Sequence, residues 1–328
     1  MGLVASGAAC WSGCRRTNQP QQQADGTGDR RQAPIAATVT VGMIADLVRT
    51  IGGPHVHVHQ IMGAGTDPHL YKASRDDAAA ILRADIVFYN GLLLEGKMSE
   101  LLEQIGRKKR TVAVAERLPA EVLLSAPDAQ GHMDPHVWMD VSLWNRVAEV
   151  IAEELADFDP VHADDYRAAA QPLRRELERL HQYGQAMMQC VPAAQRVLIT
   201  SHDAFRYFGR AYQVEVEAVQ GISTESEAGL NRINALVDLI VQRKIQAVFV
   251  ESSVPRQSIE AILKGAASRG HAVVIGGTLY SDAMGPDGTY EGTYVGMMDH
   301  NISTIARHLG CDRVPADGFR GWRGEEAA

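Results

Sequence analysis

From Thr38 onward, short apolar runs alternate with stretches whose apolar positions recur every three or four residues. The runs at 39–44, 55–62, 86–89 and 111–115 read as strands, with a short helix after the first and further helices beginning at Ser74 and Lys97. The alternation lapses in a loop over 119–131, and a helix is expected from Ser142 to about Asp157. A long helical stretch rich in Ala, Leu, Arg, Glu and Gln follows over 161–189. Pro172 should kink it, because proline removes a backbone donor and its ring clashes with the preceding turn; two helices meeting at Gln171-Pro172 are the alternative. Strands resume at 196–201, 214–219, 247–250 and 272–275, with helical patterns starting near Asp203, Gly229, Pro255 and Gly292. Strand and helix in regular alternation predict an α/β fold of two lobes, each a parallel sheet sandwiched by helices, joined by one long connecting helix.

The chemistry-bearing residues sit at the ends of these runs. Asp67-Pro68-His69 and Asp134-Pro135-His136 are near-copies of one tripeptide, His202 caps the strand at 196–201, and Asp282 follows the last strand. His69, His136, His202 and Asp282 would form a complete four-coordinate shell of three imidazoles and a carboxylate, which suits Zn²⁺. Four protein ligands leave no position for a reactive water, so such a site holds a metal better than it uses one. Ligands of open α/β sheets gather beyond the carboxyl ends of strands. Two ligands from each lobe would therefore place the ion in the cleft between lobes.

With 328 residues, 45% of them hydrophobic, the chain can bury a sizeable core. The formal charge of -8 argues against a nucleic-acid partner. Two of the four cysteines fall in the first fourteen residues, after an apolar opening and before Arg15-Arg16. Ser12-Gly13-Cys14 resembles a bacterial lipoprotein processing site, and a lipid anchor through Cys14 or Cys10 is expected, with an untargeted tail as the other reading. The composition then shifts to Gln, Asp, Gly, Arg and Pro up to Pro34, as in a flexible tether. Cys190 and Cys311 are left either as a disulfide or as two buried thiols.

The phrases Gly65-Thr66-Asp67-Pro68-His69-Leu70-Tyr71, Met133-Asp134-Pro135-His136-Val137-Trp138-Met139-Asp140, Thr200-Ser201-His202-Asp203-Ala204-Phe205 and Val250-Glu251-Ser252 occur in this order. Together with 220–227 and 292–298 they resemble the zinc/manganese solute-binding proteins of bacterial ABC importers, over about 39–309. The resemblance implies two α/β lobes, a rather rigid helix between them, and metal ligands at His69, His136, His202 and Asp282. It also implies one Zn²⁺ or Mn²⁺ per chain as cargo, handed to an ABC permease membrane subunit, and a periplasmic or cell-envelope location. Manganese-selective members often carry a carboxylate where His202 stands, which favours zinc. Many zinc-specific members have a long His-rich loop before the second ligand; here 125–133 holds only His132, which keeps manganese in play. The expected division is a signal-like segment and tether at 1–35, an N-terminal lobe at 36–160, the connecting helix at 161–190, a C-terminal lobe at 191–312 and a tail at 313–328. A monomer that is not an enzyme is expected. The competing classes are a zinc hydrolase with its metal in the cleft, which would want an open coordination position and a general base, and a metal-stabilised cell-adhesion protein.

Other residues receive plainer readings. His55, His57 and His59 alternate along one strand and share a face, as a half-exposed strand allows. His132 is read either as a loop ligand or as a solvated residue, and His162, His181, His271, His300 and His308 as surface polar residues. Asp67 and Asp134 are taken as turn formers ahead of proline, with acceptors that orient an imidazole as the other reading; Glu251 is a carboxylate close to the cleft, either supporting or joining the ligands or paired structurally; and Met284, Met297 and Met298 are packing residues. Gly285, Gly288 and Gly292 mark 282–292 as a segment able to rearrange on metal binding.

Overall fold

A computed structural model describes residues 33–127 and 131–324, together with Gly2. Cys10 and Cys14 lie outside the described residues, and with them the lipid-anchor expectation. The first half runs β1 (Ile35–Val39), α1 (Gly42–Gly52), β2 (Val56–Gln60), α2 (Arg75–Arg83), β3 (Ile86–Tyr89), α3 (Ser99–Gly106) and β4 (Arg110–Ala113). These strands form one fully parallel sheet in the order β2-β1-β3-β4. The first strand lies earlier than the hydrophobic run suggested: Met43 and Ile44 belong to α1, whose inward face they fill at 0% exposure. A continuous apolar run over a strand end and a buried helix start carries no periodicity to separate the two.

Helices α4 (Val141–Phe158) and α5 (Ala163–Cys190) follow. The Asp140 side chain accepts the backbone N–H groups of Ser142 and Leu143, satisfying donors that the first turn of α4 leaves free. Helix α5 is continuous through Pro172. Its buried positions Tyr166, Ala170, Leu173, Leu177, Leu180 and Tyr183 fall three or four apart and pack toward α1, α4 and a later helix, α9. That packing explains why one lost hydrogen bond does not break the helix: neighbours hold both of its halves.

The second half runs β5 (Val197–Thr200), α6 (Arg206–Tyr212), β6 (Glu215–Ala218), α7 (Leu230–Arg243), β7 (Ala247–Glu251), α8 (Gln257–Ser268), β8 (Val274–Leu279) and α9 (Tyr294–His308). β5 pairs in parallel with β6, and β7 with β8. β8 extends past the apolar run at 272–275 through Gly276 and Gly277, with a register shift opposite Val248/Phe249. A Cβ on Gly277 would lie 2.6 Å from the Thr304 side chain, so α9 packs where only glycine leaves room. A core of Val197, Ile199, Val237, Ile240, Val248 and Ile259 fills the space between these strands, α7 and α8. α9 instead joins the larger core shared with α1, α4 and α5.

Cys190 and Cys311 form a disulfide with Cα atoms 5.3 Å apart. It fastens the end of α5 to the turn after α9. The segment expected as a tail is packed in its described part: Phe319 is buried, its N–H donates to Asp299, and Trp322 lies against Tyr183.

Candidate metal centre

His69 comes from the loop after β2, His136 from a turn before α4, His202 from the residues after β5, and Asp282 from those after β8. One ligating atom from each lies within 4.8 Å of the others, and all four residues are buried. Nε2 of His202 is 3.1 Å from Oδ2 of Asp282, Nε2 of His136 is 3.4 Å from Oδ1, and Nε2 of His69 is 3.9 Å from Oδ2. The His69 and His136 Nε2 atoms are 3.3 Å apart. Among the described residues, both carboxylate oxygens of Asp282 and Nε2 of His202 lack hydrogen-bond partners. Buried polar atoms are almost always paired, so unpaired carboxylate oxygens and an imidazole nitrogen facing one point have the chemistry of a cation site.

Each histidine is set by a carboxylate. Oδ1 of Asp67 accepts the His69 backbone N–H at 2.9 Å, closing the Asp-Pro-His turn. Oδ1 of Asp134 accepts the His136 N–H at 3.0 Å and also lies 2.7 Å from Nδ1 of the same ring. Asp134 thus fills both roles its sequence position offers, closing the turn and orienting the imidazole. Glu251, at the end of β7, repeats the arrangement with two oxygens: Oε1 accepts the His202 N–H at 2.8 Å and Oε2 meets Nδ1. A carboxylate on Nδ1 fixes the proton there and leaves Nε2 as the coordinating atom.

The charges follow from the same contacts. Burial lowers the His69 pKa to about 3, so this ring is neutral. Burial also opposes charge on His136, but Asp134 and Asp282 outweigh it and raise the pKa to about 9. For His202 burial is likewise overcome, by Asp282 and Glu251, and the shift is strongly upward. Asp282 is driven well below the ordinary range: burial works against its charge, but His202 and His136 prevail.

The structure divides the three strand histidines. Only His57 and His59 lie on β2, exposed on one side, whereas His55 precedes the strand and stacks on His162 with ring centroids 3.9 Å apart. His271 and His300 meet backbone carbonyls of Ile245 and Thr278, and His132 is exposed, all away from the four-residue cluster. Met297 and Met298 are core residues, as expected. Gly285 and Gly292 are close-approach positions: a Cβ on Gly292 would fall 2.3 Å from the Pro286 carbonyl oxygen. They let a compact loop form.

Sequence reading missed two supports. The Trp138 indole N–H donates to the Ser281 carbonyl oxygen at 2.8 Å, and the Thr224 hydroxyl donates to Oδ2 of Asp67 at 2.6 Å. The available signal for the first was an aromatic residue two places after the ligand in both tripeptide repeats.

Residues 37–308 match the family model described as zinc-uptake complex component A, periplasmic. The chain is 45% identical over 285 residues to the manganese-binding lipoprotein MntA of Bacillus subtilis, covering 87% of this chain and 93% of that one. It is also 45% identical over 276 residues to the zinc-binding protein TroA of Treponema pallidum, covering 84% and 89%. The solved structure of the periplasmic zinc-binding protein TroA from Treponema pallidum superposes with a TM-score of 0.82 at 44% identity, covering 84% of this chain and 99% of that one. A similar fold is seen in Fe(III)-bound YtgA from Chlamydia trachomatis, with a TM-score of 0.77 at 25% identity, covering 84% and 98%. On the matched length and the two relatives together, the chain belongs to the family of periplasmic zinc-uptake component A proteins.

Proposed function

We propose that the protein captures one divalent transition metal outside the cytoplasm, through His69, His136, His202 and Asp282, and delivers it to the permease of an ABC importer. The observation that carries this reading is the convergence of four buried ligand atoms within 4.8 Å of one another, the Asp282 oxygens without hydrogen-bond donors. Three imidazoles, each neutral once coordinated, and one carboxylate favour Zn²⁺ over Mn²⁺, since affinity at nitrogen-rich sites rises toward the end of the first-row series. Relatives of equal identity are named for manganese and for zinc, so their names leave the cargo to the ligand chemistry. A shell filled by protein atoms supports carriage of the ion and no catalysis. The division into lobes at 36–160 and 191–312 about a helix at 161–190 is part of the same proposal, as is a monomeric protein. Relatives named lipoproteins support an anchor through Cys14 or Cys10.

Competition with a chromophoric chelator on metal-stripped protein is the test. One Zn²⁺ per chain is expected, bound more tightly than Mn²⁺. Replacing any of the four ligands by Ala should weaken binding at least about a hundredfold, while His57→Ala and His271→Ala leave it unchanged. Two tight sites, or equal loss in His57→Ala and His202→Ala, would overturn the assignment.

A further inference from the structure

The loop between β6 and α7 touches two of the four ligand-bearing turns, those of His202 and His69. At its base, the Val219 and Gln220 N–H groups donate to Thr200 and Ser201, and the Gly221 carbonyl oxygen accepts from Asp203, the residue after His202. Three residues further on, the Thr224 hydroxyl donates to Oδ2 of Asp67 at 2.6 Å, while Oδ1 of the same carboxylate holds the His69 N–H. Glu225 adds an ion pair to Lys97. The turn carrying His69 also lies against the second half of the chain at Gly65, whose Cβ would sit 3.7 Å from the Ser252 carbonyl oxygen. Residues 225–227 are exposed, so the loop is a strap on the surface with its working contact half-buried.

We propose that segment 220–227 is a latch joining the His202 turn to the His69 turn, and that Thr224 is the positioning residue whose release from Asp67 sets how fast the metal leaves. This rests on the metal-capture reading above. A hydroxyl donating to a carboxylate is among the stronger side-chain hydrogen bonds. Asp67 is the element most directly fixing the backbone of His69, so freeing one carboxylate oxygen lets that turn move without disturbing the turns that carry His136 or Asp282. The exposed ion pair between Lys97 and Glu225 contributes less, being screened by solvent.

Two readouts on the full-length chain test this. Zinc release into excess chelator should be roughly tenfold faster in Thr224→Val than in wild type, and close to wild type in Thr224→Ser, which keeps the hydroxyl. In metal-free protein, amide exchange over 65–70 should rise in Thr224→Val and not in Thr224→Ser. Lys97→Glu should accelerate release a few-fold, and adding Glu225→Lys to it should restore the wild-type rate. Equal behaviour of the Val and Ser variants, or faster exchange over 65–70 with unchanged zinc release, would overturn the latch. If wild-type protein bound no zinc, the metal-capture reading would fall, and the exchange contrast between the two Thr224 variants would still decide whether the loop holds His69.

Discussion

Trp138 and Ser281 are joined by a buried hydrogen bond, indole N–H to carbonyl oxygen at 2.8 Å, although 143 residues separate them. Trp138 stands two places after His136, and Ser281 immediately precedes Asp282, so this bond ties together the segments that carry two of the four metal-facing groups. The Tyr294 hydroxyl holds the Trp138 carbonyl oxygen at 2.7 Å, which extends the support into α9. Trp138→Phe keeps an aromatic ring in the core but leaves the Ser281 carbonyl without its donor. Loss of a buried hydrogen bond costs about 1–3 kcal/mol. We expect stability to fall by that amount and zinc affinity to fall about tenfold, measured by denaturant unfolding and chelator competition. Unchanged affinity in a destabilised variant would show that Asp282 is positioned without Trp138.

Much of this was legible in the sequence. Among the described residues, β2 to β7 stand close to where alternation placed them and β8 overlaps its run, because parallel strands are short apolar runs closed by turn residues. The four metal-facing residues were legible for a related reason: polar groups at strand ends or in Asp-Pro-His turns stand out against apolar surroundings. The β1/α1 boundary was not, since both sides are buried. Nor could Asp134 be distinguished from Asp67. Each forms the same local turn, and only the third dimension brings Nδ1 of His136 to one carboxylate and the Thr224 hydroxyl to the other. Cys190 and Cys311 pair through the proximity of the ends of α5 and α9, which spacing along the chain does not encode.

Zinc affinity should rise with pH across the neutral range. His136 in the metal-free site has its pKa raised to about 9 by Asp134 and Asp282 against the effect of burial, and His202 is shifted upward too. Both must lose a proton to coordinate, so roughly one to two protons should be released per zinc at neutral pH. Proton release in weakly buffered solution, with chelator competition from pH 6 to 9, measures both quantities. Affinity independent of pH over that range would contradict the assignment of His136 and His202.

Stability of the metal-free protein carries the opposite signature. A histidine whose folded pKa is raised from 6.5 to about 9 contributes stability that is complete below 6.5 and lost as pH climbs through 9. His69, lowered from 6.5 to about 3, makes the fold less stable as pH falls between those values, because the unfolded chain takes up the proton first. Metal-free protein should therefore unfold more easily toward pH 9–10 in thermal melts, whereas saturating zinc should remove that alkaline loss. A metal-free melting temperature that rises steadily from pH 7 to 10 would mean that His136 is not held protonated by its carboxylates.

The disulfide should matter to the fold and not to the ion. Cys190–Cys311 closes a span of 121 residues that contains His202 and Asp282, yet its atoms sit at the ends of α5 and α9, away from the cluster. Cross-links over loops of this order contribute about 2–4 kcal/mol. The double variant Cys190→Ala, Cys311→Ala should lose stability on that scale in urea, with zinc affinity within about twofold of wild type at temperatures where it is folded. A drop in affinity as large as that of a ligand variant would mean the clamp reaches the site.

Metal binding should change the molecule locally. α5 is buried along one face against α1, α4 and α9, and α9 shares its core with α1 and α4, so rotation about α5 would have to slide a packed interface. Among the loops that carry the metal-facing residues, the His136 turn is tied to Ser281 through Trp138, and 282–292 is compact: the Gly285 N–H donates to Glu291 at 2.8 Å, and a Cβ at Gly292 would collide with Pro286. That compactness shifts the expected mobility away from 282–292 and toward 63–70 and 220–227, whose mutual contact is the half-buried Thr224–Asp67 hydrogen bond and whose residues 225–227 are exposed. Hydrogen exchange with and without zinc should show its largest protection over those two segments. Small-angle scattering should give radii of gyration for the two forms that agree within about 0.5 Å, as befits small rearrangement on binding. A larger contraction, with little change in exchange at either segment, would mean that the packing of α5 and α9 does not restrain the lobes.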